Sequence, residues 1–452
     1  MTEPVMIAVA GLSALLALIA LRMPIAYAMI LVGGGGIAML NGWPVLLAQL
    51  KDLAYGQFAS YSLSVVPLFI LMGALASRCG LSRDLFRAAN AWLGWMRGGI
   101  AMAAVAACAG FGAVCGSSLA TASTIGSVAL PELRRYNYAP SLATGAVAAG
   151  GVLGILIPPS VVLIVYAIIV EANVVAMFTA ALIPGVLAVL LFCATIAIVV
   201  RRHPESAPAG LPVDADERAA ATWRILPVAA IFLVVIGGIA FGFFNPTPAA
   251  SVGVALVALV GLWRGELGWT GARQAALETA GMTGMIYMIL LGAELMKIFM
   301  ARGGVPQALA EGLAASGLSP MLVLLGFLVL LILLGCLLDS LSMILVAIPF
   351  FWPVLVKLNG GPDVSAAEAG FGMTTADLKI WFGILALVVV ELGLITPPVG
   401  MNVFIISRLA PDVPLGQTFA GVMPFFVAEL FRVALLIAFP VLTLWLTRMG
   451  GG

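Results

Sequence analysis

Gly154-Ile155-Leu156-Ile157-Pro158-Pro159 lies inside an apolar stretch, Leu142 to Val170, long enough to cross a bilayer. Gly393-Leu394-Ile395-Thr396-Pro397-Pro398 echoes it inside a second such stretch, Ile380 to Ile406. A double proline removes two amide donors and pushes the preceding residue out of helical geometry. Carbonyls are then left unpaired at bilayer depth, where irregular backbone persists only if it is buried in protein or lines a cavity. Corresponding breaks in two halves of a chain point to a transport site near the membrane midplane.

Composition demands a membrane. Of 452 residues 63% are hydrophobic and 9% charged, with a mean hydropathy of +1.18, where a soluble domain carries about 25% charged residues. The formal net charge of +1 gives no reason to expect nucleic acid as a partner. Cys79, Cys108, Cys115, Cys193 and Cys336 show no metal-ligand spacing and read as packing residues, and the single histidine, His203, lies in a polar loop. The first apolar run, Pro4 to Leu21, has no basic residue before it and no small-residue cleavage site after it, so it reads as a retained span.

Ten spans are expected: Val5–Leu21, Pro24–Leu40, Tyr61–Ala76, Leu142–Val170, Val174–Val200, Ile225–Phe244, Ala249–Leu262, Met282–Met300, Ile380–Ile406 and Phe425–Leu446. Two further apolar regions, 98–133 and 318–356, carry Cys115-Gly-Ser-Ser118 and Leu338-Asp-Ser-Leu-Ser342 at their middles. Periodicity does not separate two spans from one re-entrant hairpin. Hairpins are favoured, because small polar residues at a turn would then face the membrane centre. With the N-terminus outside, 14 of the 21 Lys and Arg residues fall on the cytoplasmic side. Lys51, Lys297, Arg302, Lys357, Lys379 and Arg448 fall outside, and Arg432 lies within the last span. Leu81 to Met96 reads as an amphipathic helix at the membrane surface, with Pro306 to Ala315 as its counterpart.

The polar stretch 201–224 divides the chain into halves, 1–200 and 225–452, and reads as a cytoplasmic linker. An offset of 222 pairs Ser117-Ser118-Leu119 with Asp339-Ser340-Leu341 and Pro131 with Pro353; the proline phrases pair at an offset of 239. Each half holds five spans, an odd number, so the repeat is expected to be inverted. The expected fold is therefore an all-α polytopic membrane protein of about ten transmembrane helices and two re-entrant hairpins in two inverted repeats.

Four elements are expected to converge: the tips Gly116-Ser117-Ser118 and Asp339-Ser340, and the breaks Ile157-Pro158 and Thr396-Pro397. A half-helix N-terminus suits a carboxylate, while unwound carbonyls and hydroxyls suit a weakly held monovalent cation such as Na+. Asp339 is the most informative acid, since an ionisable group inside an apolar segment is costly. Glu391 reads equally as a cation ligand or a structural partner. Ser123, Thr124 and Ser127 read as hydroxyls bonded back to their own helix.

The runs Cys115–Leu133, Gly154–Ser160, Leu337–Pro349 and Glu391–Phe404 resemble the large membrane subunit of tripartite ATP-independent periplasmic (TRAP) transporters along essentially the whole chain. The resemblance implies an elevator-type fold of the ion-transporter superfamily, with a scaffold and a moving domain built from hairpins and broken helices. It implies sodium-coupled uptake of organic acids, usually carboxylates, across a bacterial inner membrane. It also implies two partners, a small four-helix membrane subunit and a periplasmic substrate-binding protein. Carried onto this sequence, the sodium and substrate sites involve Gly116, Ser117, Ser118, Gly154, Pro158, Asp339, Ser340, Thr396 and Pro397, with Ile157 beside them. The Na+ candidates are Ser117, Ser118, Asp339 and Thr396, and no other cofactor is expected. The chain opens directly on its first span, so the small subunit is expected as a separate polypeptide. The rival reading within transport is a carrier that is proton-coupled or independent of a binding protein. An intramembrane hydrolase using Ser117 or Ser118 lacks a histidine or lysine to activate it, so no enzyme is expected.

Overall fold

A computed structural model describes residues 3–210, 214–315 and 317–449, and all of their regular structure is helical. Five helices open the chain: α1 (Glu3–Ala20), α2 (Ile25–Asn41), α3 (Trp43–Phe58), α4 (Val65–Ala76) and α5 (Leu81–Leu93). A hairpin follows, α6 (Gly99–Cys115) with α7 (Ser118–Arg135), then a broken pair, α8 (Pro140–Leu156) with α9 (Val161–Ile169), then α10 (Val174–Arg202). Next, α11 (Ala215–Phe232) passes through a π turn into α12 (Gly238–Ala240), followed by α13 (Pro246–Trp263), α14 (Trp269–Arg302) and α15 (Val305–Ala315). A second hairpin, α16 (Pro320–Gly335) with α17 (Ser340–Asn359), precedes a second broken pair, α18 (Thr375–Gly393) with α19 (Met401–Leu409). The last helices are α20 (Leu415–Ala438) and α21 (Val441–Met449). Hairpin, broken helix and long helix thus occur twice in the same order.

Among the described residues seven helices are long and apolar enough to cross a membrane, and the pairs α4–α5 and α8–α9 pass the same test as spans bent by 67° and 46°. Every expected span and hairpin coincides with a helix or helix pair, but several bounds move. α14 begins at Trp269, 13 residues before Met282, because its Ala-rich first turns hold charged residues that an apolar window rejects. The expected span Phe425–Leu446 straddles a break: α20 starts at Leu415, and Phe439, which precedes Pro440, leaves helical geometry at φ −128° and ψ 75°. The linker 201–224 is helical at both ends, since α10 runs to Arg202 and α11 starts after the Asp214 cap. α3 falls where no element was expected. The surface helix is present as α5 and its counterpart as α15, but α5 buries Leu81, Leu85, Phe86 and Ala91 against protein. It packs on α6 and α11.

Polar caps stop and start these helices where apolar runs alone would not. Ser117, Ser160, Asn173, Ser319, Asp339 and Thr374 each accept a hydrogen bond from the first turn that they precede. Within α20, Arg432 is fully buried, paired with Glu429, and donates to the Pro184 carbonyl at 3.1 Å, which ties α20 to α10. Both partners of that ion pair are inside, so neither charge is left alone.

The glycine that begins each proline phrase has a packing reason. A Cβ on Gly112 of α6 would lie 2.4 Å from the Cα of Gly154, and a Cβ on Gly393 would lie 2.6 Å from the Cα of Gly335 on α16. Each broken helix therefore meets the first arm of a hairpin backbone to backbone, an approach that only glycine permits. The Pro158-Pro159 and Pro397-Pro398 bonds are both cis.

A side chain at Gly154 would also meet Thr121 Oγ1 at 2.4 Å and the Ser117 carbonyl at 2.7 Å, whereas a Cβ on Gly281 meets nothing within 4 Å. Overpacking costs about 1–3 kcal/mol. Gly154→Ala is expected to lower the apparent unfolding midpoint in detergent by at least about 2 °C, and Gly281→Ala to leave it unchanged or raise it. Equal midpoints for Gly154→Ala and wild type would refute the close-packing account.

Candidate functional site

The two hairpin tips are built alike. Ser117 Oγ accepts from the Ala120 N–H at 3.4 Å, and Asp339 Oδ2 accepts from the Ser342 N–H at 3.1 Å. Gly116 reverses the chain before Ser117 with φ 64°, and a Cβ there would lie 2.9 Å from the Pro159 carbonyl oxygen, so the first break braces the first tip. One residue further, Ser118 and Ser340 are buried, at 1% and 4% exposure. Both hydroxyls donate to the same carboxylate: Ser340 to Glu391 Oε1 at 2.6 Å, and Ser118 to Oε2. Glu391 is fully buried, two residues before the glycine of the second phrase.

A buried carboxylate without partners costs several kcal/mol. Here two hydroxyls serve it, and two helices, α7 and α17, begin beside it with the unpaired N–H groups and positive dipole ends of their first turns. Hydrogen bonds to a charged group contribute about 1.5–3 kcal/mol each. The carboxylate therefore holds the two tips together, and the tips hold the carboxylate.

A cavity of about 410 Å³ opens between these tips and the helices α4 and α14. Its hairpin wall includes Gly116, Ser117, Ser118, Asp339 and Ser340; facing them are Gly73, Ser77, Glu278, Met282 and Met285. α4 comes closest at Gly73, where a Cβ would lie 2.6 Å from the Cys115 carbonyl oxygen. Glu278 pairs with Arg78 at 2.8 Å, and Arg78 also donates to the Ala74 carbonyl at 2.7 Å.

The remaining expected residues stand elsewhere. Gly154 is packed under the first tip. Ile157 lines a separate apolar cavity of about 350 Å³ with Val186, Val189 and Phe232. Pro158 is buried. Thr396 Oγ1 donates to its own helix at Leu392, 2.6 Å away, and Pro397 is exposed. The two tips line the cavity together with residues that flank the breaks, Ile155, Val161 and Val162 around the first and Met401 after the second, whereas Ile157, Pro158, Thr396 and Pro397 themselves stay outside it. Ser123 and Ser127 bond back to Ala120 and Thr124, as expected, at 3.1 and 2.8 Å.

Sequence reasoning missed Ser77, Glu278, Thr121 and Asn402. Glu278 lies in the polar first turns of α14, outside the span recognised from hydropathy. Asn402 was visible as an amide inside an apolar run. It is fully buried; its Nδ2 donates to the Ala148 carbonyl at 3.4 Å, while its Oδ1 and the Thr121 Oγ1 have no partner among the described residues. Both lie against the glycine face of α8: a Cβ on Gly151 would be 3.1 Å from Asn402 Nδ2, and one on Gly154 is next to Thr121 Oγ1 at 2.4 Å.

Residues 12–442 match the model of the tripartite ATP-independent periplasmic transporter, DctM component. The chain is 33% identical over 418 residues to the C4-dicarboxylate TRAP transporter large permease protein DctM of Pseudomonas aeruginosa, covering 92% of this chain and 93% of that one. It is 28% identical to the sialic acid TRAP transporter large permease protein SiaM of Vibrio cholerae, covering 94% and 95%. Its fold is similar to the crystal structure of the YdaH transporter of Alcanivorax borkumensis, with a TM-score of 0.59 over 88% of each chain at 16% identity. These relatives are named as transporter permeases, not as enzymes. A family match over nearly the whole chain and a polytopic helical fold with paired hairpins agree: the chain belongs to the DctM-component family of tripartite ATP-independent periplasmic transporters, as a large permease subunit.

Proposed function

We propose that this chain carries an organic acid, a carboxylate, across the bacterial inner membrane in symport with sodium. A periplasmic binding protein delivers the acid and a small four-helix membrane subunit completes the complex. Relatives named for C4-dicarboxylates and for sialic acid handle carboxylates, which supports this substrate class. The observation that carries the reading is the meeting of two helix N-termini and four polar tip side chains, Ser117, Ser118, Asp339 and Ser340, at one cavity. Helix N-termini favour anions. A hydroxyl that gives its proton to Glu391 keeps its lone pairs, so Ser118 and Ser340 remain oxygen donors for a cation. Ser117, Asp339 and Thr396 are further candidate donors, and the partnerless oxygens of Thr121 and Asn402 extend the set. Gly116 gives backbone access at the tip, while Gly154, Ile157, Pro158 and Pro397 shape the breaks behind it.

In this reading the two halves, 1–200 and 225–452, form inverted repeats whose hairpins and broken helices move as an elevator against a scaffold that includes α4 and α14. Gly73, Met282 and Met285 give that scaffold wall a small or flexible apolar surface suited to sliding. A second reading, proton coupling, is favoured by one feature: Glu391 is a titratable group at the junction of both hairpins.

Uptake by the assembled complex in proteoliposomes separates the two. A sodium gradient is expected to drive accumulation of the acid, and uptake driven by protons and indifferent to sodium would replace sodium symport with the second reading. The junction has its own test. Glu391→Ala is expected to cut uptake at least about tenfold, and Ser118→Ala with Ser340→Ala to add little on that background, because the three groups act as one unit. Full additivity of the serine and glutamate effects would show that they act separately.

A further inference from the structure

A second polar cavity, of about 490 Å³, lies where α5 meets α11 and the turn after α13. Arg83 and Arg87, one turn apart on α5, face Arg224 of α11 and Arg264 at the end of α13. Among the described residues lining the pocket, Asp84 and Glu266 are the acids set against these four guanidinium groups, which leaves a net charge of +2. Arg264 is already engaged: it pairs with Asp84 and donates to the Arg224 carbonyl at 3.1 Å, which locks α13 to α5 and α11. Arg83, Arg87 and Arg224 are exposed, and among the described residues none of them is in an ion pair. Three like charges around one pocket repel each other unless an anion joins them.

The rim identifies the setting. Trp223 and Trp263 flank the pocket with 73% and 79% of their surface exposed. Indole rings at the end of spans mark the headgroup level. All four arginines belong to the segments that the positive-inside rule assigns to the cytoplasmic face, and the fold brings them to one place. Basic pockets between spans on that face take anionic headgroups, and the planar fork of arginine matches phosphate oxygens. We propose that this pocket binds the phosphate of an anionic phospholipid, held by Arg83, Arg87 and Arg224 with Trp223 and Trp263 beside the headgroup. α5 also packs on both arms of the first hairpin, α6 and α7. A bound headgroup therefore ties the first hairpin to α11 and α13.

The test is lipid binding by the purified full chain, stripped of anionic lipid and read by native mass spectrometry. The probes are phosphatidylglycerol, cardiolipin, phosphatidylcholine and inorganic phosphate. Wild type is expected to hold an anionic lipid about a hundredfold more tightly than phosphatidylcholine, and R83Q/R87Q/R224Q to lose most of that preference. R83K/R87K/R224K should keep part of it, since charge remains and the fork is lost. Arg224→Glu alone is expected to shift binding in the same direction as the triple glutamine variant and serves if that variant does not fold. Equal binding of charged and zwitterionic lipid by wild type, or an unchanged preference in the variants, would overturn the proposal. Saturation of the pocket by inorganic phosphate with no preference among lipids would assign it to a free anion and overturn it as well.

Discussion

One carboxylate governs the geometry of the membrane core. Glu391 accepts from Ser118 of one hairpin and Ser340 of the other, so the distance between the tips is fixed by the width of a carboxyl group and two hydrogen bonds. The cavity inherits its hairpin wall from that distance. Both second arms begin there, and their first-turn N–H groups and dipole ends offset the cost of burying the acid. Removing either partner leaves the other buried without compensation, which costs more than the hydrogen bond itself contributes.

The junction is braced from behind by glycine. Gly112 against Gly154 and Gly335 against Gly393 bring each broken helix onto the first arm of a hairpin at backbone contact. Such contacts gain dispersion over a wide area without ordering long side chains, and they fail abruptly when a methyl group is inserted. The proline breaks thus act through position. They end α8 and α18 where a hairpin needs support, and Pro159 presents its carbonyl to Gly116 at the first tip.

Much of this was legible in sequence because it depends on local covalent facts. Double prolines inside apolar runs locate the breaks, and Gly-Ser-Ser and Asp-Ser at the middles of long apolar regions locate the tips. The offset that pairs Ser118 with Ser340 picked out the two hydroxyls that meet on one acid. Bounds of helices were less legible where charge or proline intervened, as at Trp269 and Phe439. The cavity's far wall was not legible at all. Ser77, Glu278 and Met285 reach the tips only through the packing of α4 and α14, and no periodicity records which helix faces which. Asn402 and Thr121 needed the glycine face of α8 before their polar atoms had a common neighbour.

The acid itself breaks the repeat. At the offset that aligns the two proline phrases, the position matching Glu391 in the first half is Val152, which is buried and apolar. Two carboxylates facing each other between the tips would repel at low dielectric and would leave more lone pairs than the two serines can serve. With a single acid, each hydroxyl has one acceptor and each carboxyl oxygen one donor, and the demands match. The consequence is that the second broken helix, through Glu391, binds both hairpins, while the first has no equivalent reach across the tips. The pair of hairpins is thereby closed by an asymmetric junction, and any motion that carries one tip must carry α18 and the other tip with it or break that tip's buried hydrogen bond to Glu391.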